Sequence, residues 1–166
     1  MLSFDIIKNL CYAIENQVHF VCQHLEEDNY SWRSVHKTPA IGWIIGHILS
    51  SHDYIINYSL LGNSPYFSNE FFLSFTTGST GEFPKEYNSE NMFTMFSEVN
   101  KLIVNDLKTK NDDWYYKYPI HTEKFAPNWL NKNNIKVLIL HFNHGFTHCG
   151  QILEIKRLMG KEAWGF

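Results

Sequence analysis

Residues 40–49 of the chain read Ala-Ile-Gly-Trp-Ile-Ile-Gly-His-Ile-Leu. Wound into a helix, this segment is apolar on every side, which is typical of a helix enclosed by other helices. The preceding Thr38-Pro39 pair suits an N-cap followed by a proline at the first helical position, and Leu61-Gly62 suits a helix end. We therefore predict a helix from about Pro39 to Leu61, with its first half in the interior of a helical bundle.

Three other segments carry apolar residues at spacings of three and four, the stripe that an amphipathic helix buries against its neighbours. They predict helices from about Phe4 to Glu26, from about Glu90 to Lys108 and from about Ile135 to Met159. No segment shows a convincing alternating strand pattern, so the four helices predict an all-α fold. We expect a four-helix bundle with long crossover loops, formed by a single domain over residues 1–166.

The connection from Gly62 to Asn88 has a different composition from the helices around it. It is rich in Ser, Thr, Gly, Pro and Asn, and it also contains five aromatic residues: Tyr66, Phe67, Phe71, Phe72 and Phe75. A connection this long is uncommon in a compact domain and tends to be a functional cover or a crossover. The aromatic residues predict that it packs down onto the bundle and roofs any site beneath it.

Composition and charge argue against several classes of protein. The 166 residues include 14 Lys and Arg against 17 Asp and Glu, a formal net charge of -3. This balance lacks the basic excess of a nucleic-acid-binding protein. The longest strongly apolar stretch, Ile41 to Leu49, is far shorter than the roughly 20 residues of a membrane helix, so we expect no membrane partner.

The cysteines and the N-terminus bear on the cellular compartment. Cys11 and Cys22 lie on one predicted helix, roughly 16 Å apart at 1.5 Å rise per residue, too far for a disulfide. The first ten residues carry Asp5 and Lys8 where a signal peptide keeps an apolar core. Reduced thiols and the missing signal pattern predict a cytoplasmic protein.

Three histidines are the main candidates for chemistry. His144 and His148 are four residues apart, so on a helix they share one face and can direct two imidazoles at one ion. His47 lies among apolar residues, where an unpaired ring would be costly to bury. It is either a core histidine bonded to a carbonyl or hydroxyl, or a third metal ligand beside His144 and His148. His141 borders the same stripe and is a weaker fourth candidate.

Other polar residues are candidates for supporting groups around the ligands. Gln151, three residues beyond His148, could hydrogen-bond a ligand or simply cap a polar edge of the bundle. Ser51 follows His47 by one turn on the same face, and His141 is a third supporting candidate. The remaining histidines are predicted at the surface or in loops: His19, His24, His36, His52 and His121. No glutamate forms a HExxH arrangement with the candidate ligands, which excludes that metalloprotease pattern.

Two of these segments resemble the signatures of the DinB/YfiT-like superfamily. Residues 143–151, Asn-His-Gly-Phe-Thr-His-Cys-Gly-Gln, are similar to its last-helix motif. Residues 43–49, Trp-Ile-Ile-Gly-His-Ile-Leu, are similar to its second-helix pattern. Residues 60–62 and 156–161 also resemble family landmarks, so the likeness to DinB-like domains extends over nearly the whole chain. The two histidine-bearing motifs together are more specific than either alone.

The resemblance implies a four-helix bundle that binds a divalent metal ion, usually zinc or nickel, through three histidines, and that often forms a homodimer. The implied ligands fall on His47, His144 and His148. The commoner family pattern has a histidine at the position of Thr147 and an arginine at that of Cys149. These two departures are not at ligand positions, and we expect them to alter the pocket rather than the metal site.

Two functions fit this reading. An ion held by three neutral imidazoles keeps its charge and an open position, so it can acidify a bound water or bind a thiol as thiolate. We favour a metal-dependent enzyme with a small-molecule substrate, either a transferase that uses a low-molecular-weight thiol or a hydrolase. The alternative is a non-catalytic module that binds a metal or a small ligand, which the missing general base favours.

Overall fold

The computed structural model describes residues 4–34, 38–122 and 131–162. Over these residues the chain is helical and contains no strand, which confirms the all-α prediction. Four α-helices are long: α1 (Phe4–Val21), α3 (Ile41–His52), α5 (Ser89–Leu107) and α7 (Asn134–Leu158). Three are short: α2 (Glu27–Ser31), α4 (Asn69–Phe75) and α6 (Asp112–Tyr116). Asp53–Leu60 continues α3 as a π-helical segment.

The long helices pack around a shared apolar core. Helix α1 contacts α5 and α7, and α3 contacts the same two helices. Helix α1 buries most of its predicted stripe, with Ile7, Cys11, Ile14, Val18 and Val21 inaccessible to solvent, while Phe4 at its start is half-buried. The described residues contain seven α-helices, of which four are long. The four-helix bundle and its crossover loops are therefore not confirmed and stay predictions. No helix in the described ranges is both long enough and apolar enough to span a lipid bilayer.

Two predicted helix ends were wrong because tertiary contacts and turns override the local pattern. Helix α1 ends at Val21 rather than Glu26, and His24 then adopts a positive φ of 63° that breaks the helix. Helix α3 begins at Ile41 rather than Pro39. Ala40 is held extended because its backbone N–H donates to the carbonyl of Gly81 at 2.8 Å.

The predicted cover between Gly62 and Asn88 contains a helix that was not predicted from the sequence. Helix α4 begins after Ser68, whose hydroxyl accepts a hydrogen bond from the backbone N–H of Phe71. Phe71 and Phe75 are buried, so this part of the connection does pack onto the bundle, as predicted. Tyr66, by contrast, is 42% exposed.

Two glycines allow this connection to approach α3 closely. A β-carbon added at Gly46 would overlap the ring of Phe75, and one added at Gly42 would overlap the ring of Phe83. The missing side chains therefore let both rings lie directly on the α3 backbone. Gly46 immediately precedes His47, so this close approach also sets the surroundings of the candidate ligand.

Candidate metal site

The structure brings His47, His144 and His148 together between α3 and α7. Their ligand atoms all lie within 4.8 Å of one another. The Nε2 atom of His144 lies 2.9 Å from that of His148 and 3.4 Å from that of His47. Zinc bonded to imidazole nitrogens at about 2.0 to 2.1 Å in a tetrahedron would separate them by about 3.3 Å. Both separations from His144 lie close to that value, and the three rings form a candidate site for a small divalent ion.

The other ring nitrogen of His47 has a defined partner. Its Nδ1 atom lies 2.8 Å from the carbonyl oxygen of Phe75. A carbonyl only accepts hydrogen bonds, so Nδ1 carries the proton and the Nε2 lone pair of the neutral ring points toward α7. The indole of Trp43 stacks on the same ring, with centroids 5.1 Å apart and planes within 6°. His47 is thereby held in one tautomer and one orientation.

His148 is held in the same tautomer by Gln151. Its Nδ1 donates to the side-chain Oε1 of Gln151 across 2.7 Å, which leaves the Nε2 lone pair directed at His144. Gln151 thus contacts a candidate ligand, the arrangement that orients imidazoles in metal sites. Ser51 is half-buried and its hydroxyl makes no hydrogen bond to a described residue, so its supporting role stays a prediction.

His144 has one nitrogen with partners and one without. In a neutral metal-free cluster its Nε2–H would donate to His148 Nε2, because both neighbouring Nε2 atoms carry lone pairs. Its Nδ1 atom is buried and has no hydrogen-bond partner among the described residues. A metal at Nε2 would move the proton to this Nδ1 atom. The residues therefore allow either a metal ion or a single shared proton between the rings.

Burial keeps all three rings neutral at physiological pH. It lowers the pKa of His47, although the hydrogen bond to the Phe75 carbonyl raises it. It also lowers the pKa of His148, although the hydrogen bond to Gln151 raises it. Burial, with repulsion from the charged forms of His148 and His47, lowers the pKa of His144 to about 4. Neutral imidazole is the form that binds metals, so few protons compete for these nitrogens near pH 7.

A second pair of histidines is buried in the core next to this group. His52 was predicted at the surface or in a loop, and that prediction was wrong: the side chain is fully buried, as is that of His141. His52 Nδ1 lies 2.9 Å from His141 Nε2, and His52 Nε2 lies 2.8 Å from Asn100 Oδ1. His141 approaches His144, with ring centroids 6.2 Å apart.

The orientation of Asn100 determines the tautomers of this pair. Its Nδ2 group donates to the carbonyl of Cys11 and to Glu15 Oε2, so its Oδ1 faces His52 and accepts. His52 therefore carries its proton on Nε2, and its neutral Nδ1 accepts from His141 Nε2–H. This leaves a lone pair on His141 Nδ1, which is buried and has no partner in the described ranges. Burial lowers the pKa of His52 to about 4 and that of His141 well below its usual value.

In the described ranges, the remaining histidines and Cys149 do not belong to the group of neighbouring ligand atoms. His19 and His24 are exposed, His121 is half-buried against Tyr58, and His36 lies outside the described residues. Cys149 is buried, and burial raises the pKa of its thiol to about 11, consistent with a packing role.

The Phe75 carbonyl was not predicted because a backbone oxygen has no sequence signature. A signal for the buried pair did exist. Asn100 interrupts the apolar stripe of α5 between Phe96 and Ile103, and a polar residue at such a position needs a buried partner.

No protein-family model matches the chain, and no curated protein matches it significantly.

Proposed function

We propose that the chain is a DinB-like protein that binds one divalent metal ion, zinc or nickel, through His47, His144 and His148, and that it is a metal-dependent enzyme. One observation carries the proposal: three buried or half-buried imidazoles bring their ligand nitrogens within 4.8 Å of one another, and hydrogen bonds to Phe75 and Gln151 fix two of the tautomers for ligation. When bound, the ion would supply a Lewis acid that favours the deprotonated form of a thiol or a water molecule.

The protein groups around the rings have separable roles. The Phe75 carbonyl and the Gln151 amide hold protons on Nδ1 and so keep the opposite nitrogens available. Trp43 covers one face of His47 and excludes water from it. His144 and His148 are half-buried on a side of α7 where Thr147 and Gln151 are exposed, which leaves a route for a small substrate from solvent.

A small thiol is the cosubstrate class that we favour, with a transferase reaction as the first candidate and hydrolysis as the second. The superfamily resemblance supports both, and an open three-histidine site suits both. We also propose a cytoplasmic location, supported by three free, buried cysteines. Homodimer formation is carried over from the resemblance and stays a prediction.

A non-catalytic binding module is the second candidate, and one observation favours it. Within the described ranges, no carboxylate or hydroxyl group hydrogen-bonds to any of the three rings. Among the described residues, none that hydrogen-bonds to these rings can act as a general base. A module would retain the metal but would not need to admit a second ligand.

Cobalt substitution separates the two candidates. If the site is open to thiols, adding 2-mercaptoethanol to the cobalt-loaded protein should produce a sulfur-to-cobalt charge-transfer band in the near ultraviolet. His144→Ala should lack the band, whereas His19→Ala, which removes an exposed histidine from α1, should retain it. A cobalt-loaded protein that shows no band with any small thiol would contradict the thiol-dependent enzyme and favour the binding module.

A further inference from the structure

A separate cavity of about 390 Å³ lies between the π-helical segment and α4. Its apolar wall consists of four aromatic rings and a proline: Tyr54, Tyr58, Phe67, Phe72 and Pro65. Its volume is within the range of small-molecule sites, which are mostly apolar with a few polar groups. None of the residues assigned to the metal site lines it.

The aromatic rings of this cavity are held by one another and by the surrounding residues. Tyr54 lies 5.4 Å from Tyr58 and 5.4 Å from Phe72, measured between ring centroids. Phe67 stacks on Phe71 at 4.1 Å, and Tyr58 stacks on His121 at 4.4 Å. The walls are therefore formed before a ligand arrives, which lowers the entropy cost of binding.

The same cavity contains a buried negative charge. Asp53 lines it and is only 3% exposed. Its carboxylate accepts hydrogen bonds from the backbone N–H groups of Tyr66 and Phe67 and from the Asn57 amide, at 2.8 to 3.0 Å. All of these donors are uncharged groups. In the described part of the chain no basic side chain pairs with Asp53, and none is among the residues that line the cavity.

Aromatic faces next to a carboxylate are the chemistry that recognises an organic cation. Ring faces carry negative electrostatic potential and attract ammonium groups, most strongly when water is excluded. A buried carboxylate adds to that potential, and it would repel an anion. We propose that this cavity binds a small organic ammonium ion, with Tyr54, Tyr58, Phe67 and Phe72 around the cationic group and Asp53 as its counter-charge. This inference is independent of the proposed metal chemistry.

Choline and its neutral isostere 3,3-dimethylbutan-1-ol test the proposal directly, since they differ in charge and hardly in shape. Each is titrated into the metal-free protein by calorimetry, with chemical-shift changes as a second readout. We expect choline to bind about tenfold or more tightly than the alcohol, the contribution of about 1.4 kcal/mol expected from cation–π contacts and one carboxylate. Equal affinity for both molecules, or binding of neither, would overturn the proposal.

Substitutions locate the binding to this cavity. Phe72→Leu keeps an apolar side chain and removes one ring face, so it should weaken choline more than the alcohol. Phe93→Leu changes a ring that stacks on His19 elsewhere and should leave both affinities unchanged. Asp53→Asn should abolish the preference for choline over the alcohol. If the Asp53→Asn protein does not fold, Phe72→Leu still tests the proposal. An undiminished affinity for choline in Phe72→Leu would overturn the assignment to this cavity. An unchanged affinity for choline in His144→Ala would show that the cavity is separate from the metal site.

Discussion

The Nδ1 atom of His47 donates a hydrogen bond to the carbonyl oxygen of Phe75 at 2.8 Å, while the ring of Phe75 occupies the space where Gly46 lacks a side chain. Gly46 therefore affects the position of His47 through packing. It lets α4 approach α3 closely enough for a backbone carbonyl to fix the tautomer of a candidate ligand. The packing of the connection and the chemistry of the site are coupled through these neighbouring residues.

Gly46→Ala should therefore disturb both stability and the site. The added methyl group overlaps the fully buried Phe75 ring, and overpacking of this kind costs about 1 to 3 kcal/mol of unfolding free energy. Gly150→Ala is the matched control on α7, because a β-carbon there has no atom within 4 Å. That substitution should stabilise by about 0.5 to 1 kcal/mol through helix propensity. Chemical denaturation measures both, and similar changes in the two variants would contradict the close-approach explanation.

Prediction from the sequence located the long helices well where apolar periodicity and capping residues agree. The last helix was predicted from about Ile135 to Met159 and is Asn134–Leu158, with Asn133 as its cap. It failed where a distant contact overrides the local pattern. The Thr38-Pro39 signal did not start α3, because Ala40 is held extended by the carbonyl of Gly81.

Contacts between residues that are distant in sequence also limited the prediction of the histidines. Spacing on one helix brought His144 and His148 together, and the apolar surroundings of His47 indicated that it needs a partner, which the structure supplies. His52 was missed because it is five residues beyond His47 and faces another side of α3, toward Asn100. Asn100 in the apolar stripe of α5 signals a buried polar group, but the packing of α3 against α5 is needed to show that His52 is its partner.

The buried histidine pair predicts acid sensitivity of the metal-free protein. Burial lowers the pKa of folded His52 to about 4 from an ordinary value of 6.5, so the unfolded chain takes up a proton that the folded chain does not. The unfolding free energy should thus fall as the pH drops through 6.5, by about 2 kcal/mol between pH 7 and pH 5 from His52 alone. His141 acts in the same direction.

Denaturation at several pH values, with a double substitution, checks this effect. Replacing both His52 and His141 by leucine should reduce the acid dependence, because the unfolded variant no longer takes up those two protons. A smaller dependence should remain, because burial also lowers the pKa values of the three candidate metal ligands. His19→Ala, at an exposed position, should keep the wild-type slope. An unchanged slope in the double variant would show that other groups dominate the acid response.

The hydrogen-bond network also predicts the tautomer of each buried ring. Long-range proton–nitrogen correlation spectra of the metal-free protein should show His52 and His141 protonated on Nε2, and His47 and His148 protonated on Nδ1. Single substitutions to glutamine assign the signals. On addition of zinc, the proton of His144 should move from Nε2 to Nδ1, because the metal takes Nε2. A His141 signal with its proton on Nδ1 would mean that the network around Asn100 runs in the opposite direction.

The metal content of three purified proteins tests the central claim most directly. After equilibrium dialysis against zinc or nickel, we expect one ion per wild-type chain and the same in His19→Ala. His144→Ala should bind more weakly by at least the roughly 10- to 100-fold that is typical for loss of a ligand's supporting group, and should retain the helical circular dichroism of the wild type. Wild-type content in His144→Ala, or no ion in the wild type, would contradict a metal site at His47, His144 and His148.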